Sequence, residues 1–190
     1  TNDHKKQAPR NLRLGLLTVS TSRTPASDES GQWLRKQAGK EGHTVVSQAV
    51  IPDHPATIRT AVCQAINDHA PHILILTGGT GISPTDVTIE AVQPLFTKEL
   101  TAFGPAVAQL NLNTIDSAAI MSRATAGIVS RTVIFCLPGS TGACRTGWEG
   151  ILLSQLDSRH TPCNFSGLVL RKPEKPMQRL NEVIGQRAKR

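Results

Sequence analysis

Aromatic side chains make up only 3% of this 190-residue chain, and tyrosine is absent. Proteins that bind single-stranded nucleic acid stack the bases on aromatic side chains, so the composition gives such an interface little support. The chain also lacks any apolar run near the ~20 residues that a membrane-spanning helix requires. Its opening residues, TNDHKKQAPRN, contain no apolar core of a secretory signal. We therefore expect a cytoplasmic protein that does not associate with a membrane.

Cysteine is also sparse, and its four positions do not form a metal-binding or redox motif. The spacing of Cys63, Cys136, Cys144 and Cys163 contains no Cys-x-x-Cys pair, and no histidine pair lies nearby at zinc spacing. Cys63 and Cys136 lie inside apolar runs, where cysteine usually acts as a small buried hydrophobe. This usage is typical of a protein from a reducing compartment.

The positive charge is concentrated at the two ends of the chain. The formal net charge is +7, of which residues 1–13 carry +3 and residues 171–190 carry +5. The region between them is nearly neutral, so the charge does not mark a basic face of the folded domain. Basic ends of this kind are usually solvated, and nucleic acid is an unlikely partner compared with a small molecule.

The hydrophobic pattern alternates between strands and helices. The 72–77 and 132–137 runs are apolar on successive residues, which is typical of central parallel strands buried on both faces. Strands are predicted at 12–20, 43–51, 72–77 and 132–137, and helices at 27–42, from Pro55 onward, at 87–96, 105–112 and 118–129, and after residue 140. Such alternation predicts an α/β protein of three αβα layers, a mostly parallel open sheet with helices on both faces. We expect an N-terminal extension at 1–11, one domain at 12–165 and a basic C-terminal tail at 166–190.

Three predicted strands end in loops of small or hydroxylated residues, which should meet at one edge of the sheet. These loops are TVSTSRT, TGGTGISPTD and PGST. In open α/β sheets, ligands bind beyond the carboxyl ends of the strands. The candidate binding residues of these loops are Ser20, Thr77, Gly78, Gly79, Thr80, Gly81, Pro138, Gly139 and Ser140.

The three glycines of the middle loop indicate a phosphate site. Gly78, Gly79 and Gly81 are expected to adopt positive φ and to leave bare amides that form an anion nest. A tight turn that needs glycine for its conformation alone is the open alternative. The loop is not a P-loop, because Ser83 and Pro84 stand where that motif has Gly-Lys, and the third glycine of a dinucleotide fingerprint is missing.

Asp86 follows this loop, and its negative charge would repel a phosphate unless a divalent cation lay between them. Mg²⁺ makes such bridges between one or two carboxylates and substrate phosphates. Asp86 could instead accept hydrogen bonds from a nitrogen-rich ring, or cap the helix that follows. Asp53, after the second strand, is expected to point into the same crevice, whereas Glu90 and Glu99 are weaker candidates.

Six segments, in this order and spacing, resemble the MogA/MoaB family of molybdenum-cofactor biosynthesis, which is related to the gephyrin G domain. They are LTVSTSR, TGGTGISPTDVTIEA, ELTAFG, MSRATAG, FCLPGST and CRTGWEGILLSQLDSRHTPCNF. The resemblance covers about residues 12–165, and TPCNF is similar to the MoaB side of the family in particular.

The resemblance implies a molybdopterin-binding fold, a homotrimer or hexamer, and the use of ATP with Mg²⁺. The implied reaction transfers AMP to the terminal phosphate of molybdopterin, and the product then passes to the molybdate-insertion enzyme. Asp86 and Asp53 match the family's two functional aspartates, as catalytic residues and Mg²⁺ ligands. Glu99, Ser122 and the PGS loop match further elements of its substrate site.

Two features of the chain bear on whether it is a catalyst. Its TAFGP segment has Pro105 where the family usually has an acid, whereas it keeps Asp53, which some MoaB-like members lack. A non-catalytic molybdopterin carrier or scaffold is therefore the alternative to an adenylyltransferase. Nucleic-acid binding through the basic ends is a third interpretation.

Overall fold

A computed structural model describes residues 11–160 and 162–170 of the chain. Within these residues six strands form one sheet in the order β2-β1-β3-β6-β5-β4. The β1–β2, β1–β3 and β3–β6 pairs are parallel, whereas β5 runs antiparallel to both β6 and β4. The strands are β1 (Arg13–Val19), β2 (Thr44–Ile51), β3 (Ile73–Thr77), β4 (Lys98–Glu99), β5 (Thr125–Val129) and β6 (Thr132–Leu137).

The helices connect these strands and cover both faces of the sheet. They are α1 (Glu29–Lys40), α2 (Pro55–His69), α3 (Thr88–Val92), α4 (Phe103–Ile115), α5 (Thr141–Gly147), α6 (Leu153–Leu156) and α7 (Phe165–Val169). Short 3₁₀ turns at Gln93–Leu95 and Asp116–Met121 follow α3 and α4, and a π-helical turn at Trp148–Leu152 joins α5 to α6. This architecture confirms the predicted three-layer α/β fold.

Two hydrophobic cores lie on opposite faces of the sheet. Successive residues of β3 divide between them: Ile73 and Ile75 face the core built with α1, α4, α5, α6 and α7, and Leu74 and Leu76 face the core built with α2 and α3. All four of these side chains are fully buried. The doubly apolar runs in the sequence therefore have a direct physical cause, because a central strand must supply apolar side chains to both layers.

The helix predicted at 118–129 was wrong. A 3₁₀ turn ends at Met121, and Thr125–Val129 forms a strand that pairs with β6. The connection between β5 and β6 has only two residues, Ser130 and Arg131, and Ser130 adopts a left-handed φ of 54°. This turn lacks the glycine or asparagine that usually signals a hairpin, so the apolar run gave no reason to place a strand there.

The last described helix crosses the predicted end of the domain at residue 165. Helix α7 runs from Phe165 to Val169, and Val169 belongs to the core on the α1 side of the sheet. The packed part of the chain thus continues past residue 165. The predicted extension and tail lie almost entirely outside the described residues. In the described part of the chain, no helix has both the length and the apolar character needed to cross a bilayer.

The described cysteines are free thiols, and the predicted burial of Cys63 and Cys136 is confirmed. Cys63, Cys136 and Cys144 are buried and Cys163 is exposed. Burial raises the pKa of Cys136 and of Cys144 to about 12, so both thiols stay protonated at physiological pH. Neither has the thiolate character that a nucleophile or metal ligand requires.

Candidate functional site

The predicted loops meet at the carboxyl edge of the parallel strands. In the strand register Val19 lies opposite Ile51, and Thr77 lies opposite Thr18 and Leu137, so β1, β2, β3 and β6 end at the same level. Because β5 is antiparallel to β6, the segment that leads into β5 reaches this edge as well. One rim of the sheet therefore collects segments that are far apart in sequence.

The glycine pair after β3 makes close backbone contacts on two sides. Gly78 and Gly79 have φ of 89° and 61°, and a Cβ on Gly78 would overlap the carbonyl oxygen of Val19. On the other side, a Cβ on Gly139 would lie 3.0 Å from the Cα of Gly78, so the PGST loop packs directly against the pair. Thr88 fixes the far end, with its hydroxyl donating to the Gly78 carbonyl over 2.8 Å.

Two details of the predicted nest were wrong. Gly81 does not adopt a positive φ. Glycine fits this position because of the space available, since a Cβ on residue 81 would lie 2.7 Å from Oδ2 of Asp86. The amide of Gly78 is not bare, because it donates to the carbonyl of Leu137 over 3.1 Å. Any anion contact of this loop must therefore come from amides after Gly78.

Asp86 turns back toward the glycine loop. Its Oδ2 accepts a hydrogen bond from the amide of Ser83 over 2.8 Å, and its own amide donates to the Ser83 carbonyl over 2.9 Å. Helix α3 has Val87 at its N-cap position and no side-chain cap. The alternative that Asp86 caps the following helix is thus wrong, and its carboxylate instead closes a four-residue turn beside Gly81.

Asp53 approaches the same loop from the connection between β2 and α2. A Cβ on Gly79 would lie 3.0 Å from Oδ1 of Asp53. The N-cap residue of α2 is His54, so Asp53 does not occupy the cap position of that helix. Burial raises the pKa of Asp53, the backbone amide of Thr21 opposes this through a hydrogen bond, and the negative charge of Asp86 raises the pKa further. The two carboxylates are therefore close enough to interact electrostatically.

The raised pKa of Asp53, caused first by burial and then by the charge of Asp86, predicts that neutralising this side chain raises thermal stability at neutral pH. A carboxyl whose folded pKa lies above its ordinary value of 3.8 favours folding fully below that value, and this contribution is lost as the pH rises through the folded pKa. At pH 7 we expect Asp53→Asn to melt on the order of 1–2 °C above the wild type, because solvent screens this partly exposed carboxyl. The difference should vanish near pH 3 in calorimetric scans. Asp68→Asn, on the exposed end of α2, is the control, and a lower Tm for Asp53→Asn at pH 7 would contradict the raised pKa of Asp53.

The hydroxyl side chains of the predicted site mainly support the loops. Ser20 Oγ accepts hydrogen bonds from the amides of Ser22 and Arg23, and Ser140 Oγ caps α5 by accepting from the Ala143 amide. Thr77 and Thr80 are 1% and 2% exposed. Neither threonine therefore presents much surface of its own to a ligand at this rim.

Ser122 precedes β5 at the same rim, whereas Glu99 lies farther along the sheet and pairs with Gly127 in the middle of β5. Glu99 ends the edge strand β4, where it accepts hydrogen bonds from Gln93 over 2.8 Å and from Thr125 over 3.3 Å. Strand β4 is three positions from β3 in the sheet, which places it about 14 Å away at the usual strand spacing. Ser122 lies between the 3₁₀ turn and β5. The structure therefore groups Asp53 and Asp86 with the glycine loop and sets Glu99 apart.

Two arginines at this rim were missed by the sequence interpretation. Arg23 donates from Nη1 to the carbonyl of Gly139 over 3.0 Å, and Arg123 donates from Nε to the carbonyls of Thr80 and Gly81. Arg23 is the last residue of LTVSTSR and Arg123 is the third residue of MSRATAG, two segments that were already singled out. The sequence did offer a signal for both arginines. Each is a basic residue next to small residues, within the central part of the chain that is nearly neutral overall.

The carboxylates at this rim are too few to enclose a cation by themselves. Among residues 11–160 and 162–170, no group of three or more His, Cys, Asp or Glu side chains could hold a metal ion. Asp53 and Asp86 alone therefore do not make a closed protein site. Mg²⁺ is commonly bound by one or two carboxylates together with substrate phosphates, an arrangement that does not require a closed protein site.

Comparison with known proteins identifies the family. A protein-family sequence model, described as a probable molybdopterin binding domain, matches residues 15–158 of this chain. The chain belongs to this family. The match spans the whole rim described above, from β1 to the end of α6.

Individual relatives in this molybdopterin-binding family cover most of the chain. Molybdenum cofactor biosynthesis protein B of Escherichia coli (strain K12) is 42% identical over 153 residues, which cover 80% of this chain and 90% of that protein. A molybdopterin adenylyltransferase of Pyrococcus furiosus is 37% identical, with coverage of 77% and 89%. A crystal structure of a molybdenum cofactor biosynthesis protein B has a TM-score of 0.80 at 34% identity and covers 87% of this chain and 100% of that chain.

Proposed function

We propose that this protein acts in molybdenum cofactor biosynthesis, where it binds molybdopterin and transfers AMP from ATP to the terminal phosphate of the pterin. The observation that carries the proposal is the placement of Asp53 and Asp86 against two glycines of one loop, at the sheet edge where α/β proteins bind ligands. Support for the substrate comes from the family and from the molybdopterin adenylyltransferase of P. furiosus.

In this proposal the loop after β3 holds the pterin phosphate. The positive φ at Gly78 and Gly79 turns the backbone so that a ligand can approach it closely. The amide of Gly78 is already bonded, so the contacts come from the amides that follow it. The PGST loop, which packs on Gly78, supplies the adjacent wall.

The chemical step needs positioning and charge neutralisation rather than a general base. A phosphate oxygen of molybdopterin attacks the α-phosphorus of ATP, the bond from that phosphorus to the bridging oxygen breaks, and pyrophosphate leaves. The attacking oxygen is already anionic, so the protein must align it and limit repulsion between the phosphates. Mg²⁺, when bound, would neutralise charge on the phosphates. In this proposal Asp86 and Asp53 would hold it, and their mutual repulsion at neutral pH favours taking up a cation.

The wider cellular setting follows from the family resemblance and stays a prediction. We expect a cytoplasmic homotrimer or hexamer that passes its product to the molybdate-insertion enzyme. Exposed apolar side chains around the end of α4 support association, since Ile115, Ile120 and Met121 are 49%, 77% and 59% exposed. Clusters of this kind usually mark contacts with other protein surfaces.

The second candidate is a carrier that binds molybdopterin without modifying it. The segment TAFGP favours this alternative, because Pro105 in the first turn of α4 replaces the acid that usually stands there in the family. Such a protein would use the same rim and bind the pterin equally well. It would not need the two carboxylates to handle a nucleotide.

Release of pyrophosphate separates the two candidates. With purified molybdopterin and ATP, we expect stoichiometric pyrophosphate release that stops when Mg²⁺ is removed with a chelator and returns when Mg²⁺ is added back. Calorimetry with molybdopterin in the same buffers gives the binding control. Normal pterin binding without any ATP-dependent release would establish the carrier and refute the adenylyltransferase.

A further inference from the structure

The guanidinium of Arg123 bridges the glycine loop and the turn that contains Asp86. Its Nε donates to the carbonyl of Thr80 over 3.1 Å and to that of Gly81 over 3.0 Å, and Nη2 donates to the carbonyl of Asp86 over 3.4 Å. Arg123 itself comes from the other side of the rim, just before β5. One side chain thus ties together the backbone of both parts of the candidate site.

Glu90 holds the opposite side of the same guanidinium. Nη1 and Nη2 of Arg123 donate to Oε1 and Oε2 of Glu90 over 2.5 and 3.4 Å. The hydrogen bond from Arg123 lowers the pKa of Glu90, so this carboxylate is ionised at physiological pH. Helix α3 therefore supplies, through Glu90, the carboxylate that orients the guanidinium of Arg123 over the loop.

The loop needs such a tie because its own side chains give it little support. Ile82, Ser83, Pro84 and Thr85 are exposed, and Ile82 is 62% exposed. The described bonds within this stretch are local, between Ser83, Thr85 and Asp86. A segment with few buried contacts opens easily. Such opening would move the loop amides and the Asp86 carboxylate away from the positions in which they meet a ligand.

An arginine is suited to this task where a lysine is not. Its planar fork carries five N–H donors in fixed directions, so it can bond several carbonyls and a carboxylate at once. A lysine ammonium on a flexible stem would keep the charge but could not reproduce that geometry. Since the charge of Arg123 is paired with Glu90, its effect on a phosphate is largely through the backbone that it holds.

We infer that Arg123 is a positioning residue that, with Glu90, fixes the glycine loop and Asp86 in the geometry that binds the terminal phosphate of the substrate. The inference rests on the proposed function for the identity of that phosphate. The structural part of it, that Arg123 fixes the loop, can be tested without any substrate.

Hydrogen exchange of the free protein tests the structural part. We expect the peptide that covers residues 79–87 to exchange about tenfold faster in Arg123→Met, which is the scale of losing one charged hydrogen bond. Arg159→Met is the control, because Arg159 is also a partly exposed arginine paired with an acid, Asp157, and its substitution removes the same charge. Unchanged exchange in Arg123→Met would overturn the inference, whatever the activity of the protein.

Kinetics test the part that concerns the substrate. We expect Arg123→Met to raise the KM for molybdopterin by about tenfold or more and to lower kcat, with a smaller change in the KM for ATP. Arg123→Lys should be nearly as impaired, whereas millimolar methylguanidine should restore activity to an Arg123→Ala variant, since the position is partly open to solvent. If Arg123→Lys works like the wild type, or if both KM values rise equally, the positioning role is refuted. A wild type without turnover would instead refute the proposed function and leave the exchange result standing.

Discussion

Asp86→Asn is expected to slow pyrophosphate release by roughly 10²–10³, the scale on which a lost electrostatic stabiliser acts. The asparagine oxygen can still accept the hydrogen bond that Oδ2 now receives from the Ser83 amide. The turn beside Gly81 should therefore keep its shape, and the substitution removes only the negative charge. Calorimetry should give molybdopterin binding close to that of the wild type, so that the loss falls on kcat.

A control for net charge sharpens this test. Asp68→Asn removes the same charge from the exposed C-terminal end of α2. This end of the helix leads into the start of β3 and therefore lies at the opposite edge of the sheet from the candidate site. Its rate should match the wild type at each Mg²⁺ concentration. If Asp86→Asn bound pterin normally and also turned over at the wild-type rate, the role assigned to Asp86 would be wrong.

The parts of the site that could be predicted are those that depend on where parallel strands end. The doubly apolar run before Thr77 identifies a central strand, and the connectivity of alternating strands and helices places every such strand end at one edge. Asp53 and Asp86 could therefore be assigned to one crevice from sequence, although 33 positions separate them. Their approach to Gly79 and Gly81 agrees with that assignment.

The parts that could not be predicted depend on particular long-range contacts. No local pattern shows that Arg123 reaches the carbonyls of Thr80 and Gly81. Every residue type has a backbone carbonyl, so the accepting residues carry no sequence signal of this contact. Similarly, the amide of Gly78 is occupied by Leu137 only because β6 happens to lie next to β3. Strand β5 was missed because Ser130 makes a left-handed turn without glycine.

The largest effect on stability is expected from Gly78→Ala. The new Cβ would overlap the carbonyl oxygen of Val19, which belongs to β1 and is held in the sheet between β2 and β3. The φ of 89° adds strain, since side chains rarely adopt that conformation. Overpacking costs about 1–3 kcal/mol and strained backbone about 1–3 kcal/mol, so we expect unfolding to be easier by roughly 3 kcal/mol. For a domain of this size the Tm should fall by about 6–12 °C in a calorimetric scan.

Gly39→Ala provides the matched comparison for that prediction. Gly39 lies in α1, and a Cβ there would meet nothing within 4 Å. Alanine has the higher helix propensity, so this variant should be as stable as the wild type or more stable by up to about 1 kcal/mol. The contrast between the two identical substitutions isolates the contact of Gly78 with β1 from any general effect of replacing glycine. If both variants melted at the wild-type temperature, the backbone of β1 and the glycine loop would not be in the close contact on which the geometry of the site depends.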